Sequence, residues 1–266
     1  MHIQARWGNI VPDTCTASVV LFKTPPQIVL DLLQSFPPSI FTTIIDNSPT
    51  PALQTLVNGM PMLAYHHAGQ NMGYGRGHNL GLSLSPPSDF HLIVNPDIII
   101  GPGTVEQMLA FMEEHPDIGL LAPKFLHEDG TIQHLNRRYP TVLDLVLRHL
   151  PDGLMTQRML QRVRYHEMQD TGYETVCDVE SMSGAFMLCR RTVLERIGGF
   201  DPRYFLYFED FDLSCSIQAL GMRTVCYPDV SVVHCWTRAS SKEKRMILVH
   251  IQSMVHFFNK WGWRWF

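Results

Sequence analysis

Three carboxylates fall within four positions at Glu209-Asp210-Phe211-Asp212, inside a run from Phe200 to Leu213 that also carries six aromatic side chains. A helix N-terminus welcomes acids, because its free N–H groups and its dipole stabilise negative charge. Capping accounts well for one such carboxylate and poorly for three. Gathering them among aromatics is costly unless they share a cation or a reaction, so this block is a candidate for proton transfer or metal-linked chemistry. Other polar groups cluster where apolar runs stop. Asp46-Asn47 follows residues 41–45, Gly73-Tyr74-Gly75-Arg76-Gly77-His78-Asn79 follows 62–66, and Asn95-Pro96-Asp97 follows 90–94. Each alone is ordinary turn chemistry. Together they sit where ligands bind in an open α/β sheet, beyond the carboxyl ends of successive strands.

The elements that must position these groups alternate through the first half of the chain. Residues 17–22 (ASVVLF) read as a buried strand, and Pro25-Pro26 opens a helix to about 36, since proline suits a first helical turn. Strands follow at 41–45, 62–66 and 90–94, then a helix at 104–114 and a strand at 118–122. Such alternation predicts an α/β fold with parallel strands. Residues 137–164 read as loop and helix. A strand over 179–189, interrupted at Ser183-Gly184, precedes helices at 191–197 and 208–220 closed by Gly198-Gly199 and Gly221. Two short strands, 223–227 and 231–234, lead to a last helix with a capping box, Ser240 and Glu243, and an apolar stripe at Ile247, Ile251, Met254 and Phe258.

Composition sets the bounds. The 266 residues are 45% hydrophobic and only 17% charged, which excludes a disordered chain and a collagen-like fibre. A formal charge of −4 does not suit a general nucleic-acid binder. That average hides a tail of +5 from Trp236 onward, following a body of −9. The six cysteines form no CxxC pair and sit in apolar runs, so they read as free thiols of a reducing compartment. With no apolar run of spanning length, the chain is expected to be cytosolic, with a peripheral contact to a membrane. The glycine run is G-x-G-x-G after the third strand, not G-x-G-x-x-G after the first, which disfavours a dinucleotide oxidoreductase.

Taken in order, Asp46-Asn47, Asn71-x-Gly73-Tyr74-Gly75-Arg76-Gly77-x-Asn79, Asn95-Pro96-Asp97, Ser183-Gly184-Ala185-Phe186, Gly198-Gly199-Phe200-Asp201 with Glu209-Asp210-x-Asp212-Leu213, and His234 resemble the inverting family 2 glycosyltransferases. Within them the chain is most similar to bacterial rhamnosyltransferases of cell-surface polysaccharide assembly. The resemblance covers residues 17–260. It implies a GT-A fold, an α/β architecture with a mostly parallel central sheet flanked by helices, with residues 1–235 as the transferase domain and 236–266 as a basic, aromatic helix and tail.

The resemblance also implies roles. Asp46, with Asn47 beside it, would bind the nucleotide base. Gly73, Gly75 and Asn79 would belong to a loop closing over the nucleotide, with Arg76 as a cation for it. Asp97 would be the last acid of a D-x-D motif holding a magnesium or manganese ion on the diphosphate, joined by His234. Ser183, Gly184, Ala185 and Asp212 would lie on the acceptor side, and Asp210, next to Glu209, would be the catalytic base. One departure is that Asn95 replaces the first D-x-D acid, which removes a charge from the metal site. The implied reaction moves a sugar, rhamnose from its deoxythymidine diphosphate in the first instance, to a hydroxyl of a saccharide or polyprenyl-linked acceptor. The alternatives are another donor such as a uridine diphosphate sugar, or a non-catalytic sugar-nucleotide or glycan-binding module.

Overall fold

A computed structural model describes residues 14–148, 150–235 and 244–266. Strands β1 (Cys15–Leu21), β2 (Phe41–Asp46), β3 (Leu63–His67) and β4 (Phe90–Val94) are parallel, with β1 between β2 and β4. Every residue of β1, β2 and β4 is buried, as expected of strands covered on both faces. Helices α1 (Pro26–Ser35), α2 (Gln54–Val57) and α3 (Tyr74–Leu84) connect them. After β4 come β5 (Ile98–Ile100), α4 (Thr104–Glu114), β6 (Ile118–Leu126), α5 (Val142–Leu147) and α6 (Gln157–His166). The remaining elements are β7 (Cys177–Asp178), β8 (Phe186–Arg190), α7 (Arg191–Ile197), α8 (Glu209–Gln218), β9 (Arg223–His234) and α9 (Lys244–Trp261).

The nine strands among the described residues join one mixed sheet, ordered β3-β2-β1-β4-β8-β6-β9-β5, with β7 pairing the first half of β9. Strand β8 is antiparallel to β4 and β6, and it places the Ser183–Ala185 segment beside the end of β4, where the Asn95 N–H donates to the Ala185 carbonyl.

Two expectations from sequence are corrected here. The glycine run is a helix, not a loop. A Cβ at Gly75 would lie 2.7 Å from Phe200 Cβ, one at Gly77 2.7 Å from Val20 Cγ2, and one at Gly81 2.6 Å from Ser18 Cβ. Gly77 and Gly81 let α3 lie closer to the sheet than any side chain would allow, and Gly75 makes the same room for Phe200 in the loop after α7, which outweighs a helix propensity deficit of about 1 kcal/mol each. Ser18 Oγ then ties α3 to β1 and β4, 2.7 Å from His78 Nδ1 and 2.9 Å from His91 Nε2. Burial pushes His91 down to about 3 and His78 also well below the usual histidine range, so both rings are neutral. Second, 223–227 and 231–234 are one strand with a bulge, not two strands, because β6 continues past Ala122 and pairs with both halves.

A second, smaller core joins α9 to the body: Leu145, Tyr204, Phe208, Cys215, Phe257 and Phe258 are buried together. The capping box at Ser240 and Glu243 lies outside the described residues. All six cysteines are free thiols.

Candidate functional site

The carboxyl ends of β1 and β2 frame an open cavity of about 470 Å³, lined by Lys23, Pro25, Asp46, Ser48, Pro49 and Leu53 among others. This is the size of a small-molecule site with apolar walls and few polar anchors. Asp46, fully buried, accepts from the Ser48 N–H at 2.8 Å and from the Tyr65 hydroxyl at 2.6 Å. Burial first, and the adjacent carboxylate second, raise the Tyr65 phenol well above its ordinary range, so it stays a donor. Asn47 donates from Nδ2 to the Gly73 carbonyl at 3.0 Å, while its Oδ1 is buried with no hydrogen-bond partner among the described residues.

Gly73 has φ +89°, and a Cβ there would lie 2.3 Å from the Phe205 carbonyl oxygen. Only glycine fits. Gly75, Arg76 and Asn79 do not form a loop over a nucleotide, because all three lie on α3. Asn79 spends both ends of its amide on Phe200, donating to its carbonyl at 2.7 Å and accepting from its N–H at 2.8 Å. Gly75 packs on the Phe200 side chain, and Arg76 Nε donates to the Pro202 carbonyl at 2.8 Å. Their common task is to hold the loop that leads into α8.

Asp97 and His234 meet through strand register: antiparallel pairing sets Ile98 opposite His234, so the residue before β5 lies beside the end of β9. Asp97 Oδ1 and His234 Nε2 are 3.5 Å apart. Both atoms are buried, and neither has a hydrogen-bond partner among the described residues. An unpartnered carboxylate oxygen facing an unpartnered imidazole nitrogen fits a divalent cation, whose other positions phosphate oxygens would fill. The described residues contain no group of three or more His, Cys, Asp or Glu side chains that could hold such an ion. The chain therefore offers a half-site.

Glu209 and Asp210 open α8 behind two consecutive left-handed residues, Tyr207 at φ +69° and Phe208 at φ +65°. Such backbone costs on the order of 1–3 kcal/mol per residue and persists only where packing imposes it. Here Phe208 is buried against α9, and its ring lies 5.5 Å from that of Phe257. Asp210 Oδ2 accepts from the Gly184 N–H at 3.2 Å and Oδ1 from the Phe211 N–H at 2.9 Å. Burial raises Asp210 above the usual carboxylate range despite these donors and despite the helix dipole, which alone would lower it. Glu209 is pushed up to about 8 by burial and then by the charge of Asp210, and its Oε2 is buried without a hydrogen-bond partner among the described residues. Burial thus makes the two acids a coupled pair that holds a proton more tightly than free carboxylates do, while the two N–H donors to Asp210 favour its ionised form.

Ser183, Gly184 and Ala185 stand between the two carboxylate centres. The Tyr74 hydroxyl donates to the Gly184 carbonyl at 2.6 Å, and Ser183 Oγ accepts from the Ala185 N–H at 3.3 Å. Tyr74 is raised well above its ordinary range by burial first and then by the charges of Glu209, Asp210 and Asp97, so it stays a donor. Asp212 is corrected. It faces away from this cleft, and its buried oxygens accept from Lys260 Nζ at 2.8 Å and 2.9 Å, Trp261 Nε1 at 2.8 Å and the Tyr204 hydroxyl at 3.2 Å.

Four residues with no role from sequence belong to the site. Lys23 lines the cavity, Tyr65 holds Asp46, Tyr74 supports Gly184, and Gln133 Oε1 lies 2.9 Å from His234 Nδ1. Tyr65 sits in a strand leading to the carboxyl edge and Tyr74 inside the glycine run, so both were within reach of pattern reading. Nothing in the sequence marks Gln133.

Residues 52–247 match the model of a family described as glycosyltransferase like family 2. Among curated proteins, the N-acetylglucosaminyl-diphospho-decaprenol L-rhamnosyltransferase of Mycobacterium tuberculosis is 29% identical over 176 residues, covering 62% of this chain and 56% of that protein. The chain thus spans about half the length of that relative. Rhamnosyltransferase WbbL of Escherichia coli K12 is 24% identical over 188 residues, 66% of this chain and 67% of that protein. In fold, the chain is similar to the mannosyltransferase PcManGT from Pyrobaculum calidifontis in complex with GDP-Man and Mn2+, with a TM-score of 0.63 at 16% identity over 95% of this chain and 66% of that one. It is also similar to GalNAc-T7 with UDP, GalNAc and Mn2+, with a TM-score of 0.63 at 14% identity over 87% and 44% of the two chains.

Proposed function

Because the chain belongs to the glycosyltransferase like family 2, we propose that it moves a sugar from a nucleoside diphosphate to an acceptor hydroxyl with inversion at the anomeric carbon. The observation that supports this best is that residues 184–185 bridge two different acid centres, the Gly184 N–H donating to Asp210 and the Ala185 carbonyl accepting from Asn95, two residues before Asp97. One is the bare Asp97–His234 pair, and the other is the coupled Glu209–Asp210 pair, both of whose acids burial raises. In this reading Asp46, braced by Tyr65, receives the base in the cavity of β1 and β2. Asp97 and His234 hold the cation, which when bound offsets the charge growing on the leaving diphosphate. Asp210 takes the acceptor hydroxyl proton as the new C–O bond forms, and the electron pair of the broken bond leaves with the diphosphate. A proton kept on Glu209 would leave Asp210, which accepts two backbone N–H bonds, ionised and able to act as the base.

The favoured donor is deoxythymidine diphosphate β-L-rhamnose, which would give an α-rhamnoside, and the favoured acceptor a saccharide carried on a polyprenyl diphosphate. Both relatives are named rhamnosyltransferases, which supports the sugar, and the diphospho-decaprenol in the name of the first supports the acceptor. Residues 1–235 would form the transferase domain, with 236–266 as an appended helix and tail. Helix α9 and the residues after it expose Ile247, Leu248, Ile251, Trp263, Trp265 and Phe266, which with the basic excess of the tail suit a peripheral contact with an anionic membrane. No helix among the described residues is long and apolar enough to cross one.

The test is transfer from a panel of sugar nucleotides to a polyprenyl diphosphate saccharide, read as mass gain, with the linkage set by NMR. A deoxyhexose gain in α linkage is expected. Nucleotide binding without transfer from any donor would instead identify a non-catalytic sugar-nucleotide binder.

A further inference from the structure

Gln133 is 3% exposed and is pinned by its own backbone, whose N–H donates to the Phe125 carbonyl at 2.9 Å across the turn that follows β6. Its side chain meets three atoms. The amide nitrogen lies 2.8 Å from the His234 carbonyl oxygen and 2.9 Å from His127 Nδ1, and the amide oxygen lies 2.9 Å from His234 Nδ1. The first contact settles which end is which, because a backbone carbonyl can only accept. Turned over, the amide would set oxygen against oxygen there. The amide oxygen must then face the ring, and since it too can only accept, His234 Nδ1 must carry the hydrogen. In an imidazole with one ring hydrogen, the other nitrogen is a bare lone pair. That nitrogen is Nε2, which points at Asp97 Oδ1, 3.5 Å away. No donor among the described residues lies between them.

We propose that Gln133 is a positioning residue: by gripping both the carbonyl and the ring of His234, it fixes the tautomer and the tilt that turn the Nε2 lone pair toward Asp97. This rests on reading Asp97 and His234 as a cation pair. Gln133 itself does not touch the ion. Without it the ring would be free to take the opposite tautomer, with Nε2–H donating to Asp97 Oδ1, and both atoms would then be spent on each other. Groups that orient a metal-binding histidine in this way commonly account for a ten- to hundredfold difference in metal affinity.

The experiment uses the full chain with 15N-labelled histidine. Long-range 1H–15N correlation without metal should show His234 with a protonated Nδ1 and a bare Nε2. Binding of Mn2+ is then followed by electron paramagnetic resonance, alone and with deoxythymidine diphosphate. Gln133→Leu should move the ring toward the Nε2–H tautomer and weaken Mn2+ binding ten- to hundredfold. Chemical unfolding of the Leu variant, with a 1H–15N spectrum unchanged away from His234, separates the effect from general loss of packing. An Nε2–H ring in the parent protein, or a Leu variant with unchanged tautomer and Mn2+ affinity, overturns the role of Gln133. A parent that binds no Mn2+ even with the nucleotide, yet shows the expected tautomer, overturns the cation reading and leaves the Gln133–His234 geometry standing.

Discussion

The first turn of α8 presents acids to two different surroundings. Asp212 turns toward α9 and meets donors from Lys260, Trp261 and Tyr204, so its charge is neutralised and its lone pairs are filled from within the chain. Glu209 and Asp210 turn toward the cleft. There two backbone N–H groups serve Asp210, and Glu209 Oε2 has no partner among the described residues. Glu209 and Asp212 are buried and Asp210 half-buried, and the residue types are nearly the same. The partners differ, and they decide the chemistry. An acid satisfied by its own protein is a clamp, whereas one denied partners must keep its proton or wait for a ligand.

The largest expected effect tests the cleft side. Asp210→Asn should lower turnover a hundred- to ten-thousandfold, the usual worth of a positioned base. Nucleotide binding, measured by thermal shift, should stay near the parent value. Turnover close to the parent's would move the base to another residue. Next comes the clamp side. Asp212→Ala strands the Lys260 ammonium and the Trp261 N–H and should destabilise the fold by about 2–3 kcal/mol, at the lower end for a buried ion pair because Lys260 is partly exposed. Chemical unfolding measures this. The comparison would collapse if Asp212→Ala removed activity while leaving stability intact.

The smallest effect is a pH slope. Between the ordinary value of 4.5 and about 8, folded Glu209 holds a proton that the unfolded chain has released. Folding therefore takes up protons in that window, and this residue lowers stability as pH rises through it. Glu209→Gln cannot titrate, so its urea midpoint relative to the parent should climb from pH 5 to pH 8. A difference that stays constant across that range would show that Glu209 is not the proton carrier.

Much of the frame was legible from residues alone. Apolar runs and caps locate β1, β2 and β4 to within two residues, and the bounds of α4 and α7 agree with their patterns. The glycine run of α3 was not legible as a helix, because local propensity argues against one and only the sheet behind it argues for one. Strand β9 reads as two strands since Pro228 interrupts it, while pairing with β6 carries the strand across. For the site, the acids at strand ends stood out by position. Their supports did not: Tyr74 meets Gly184 across 110 positions of sequence, and Gln133 meets His234 across 101. Those contacts come from register and crossover geometry, which no local pattern encodes.

The bulge in β9 has a consequence for how such a sequence can drift. Pairing with β6 runs to Tyr227 opposite Pro123 and resumes with Ser231 opposite Lys124, leaving Pro228, Asp229 and Val230 outside the ladder. Strand side chains alternate faces, so removing one of these three would exchange His234 with a neighbour and turn its ring away from Asp97. None of the three is assigned a part in the chemistry, but Pro228 and Val230 are buried, so only the identity of exposed Asp229 can change freely under that constraint. Their number cannot. Over generations the exposed middle position would drift while insertion and deletion are rejected, so selection for activity would act there on a count of residues more strictly than on the residue counted.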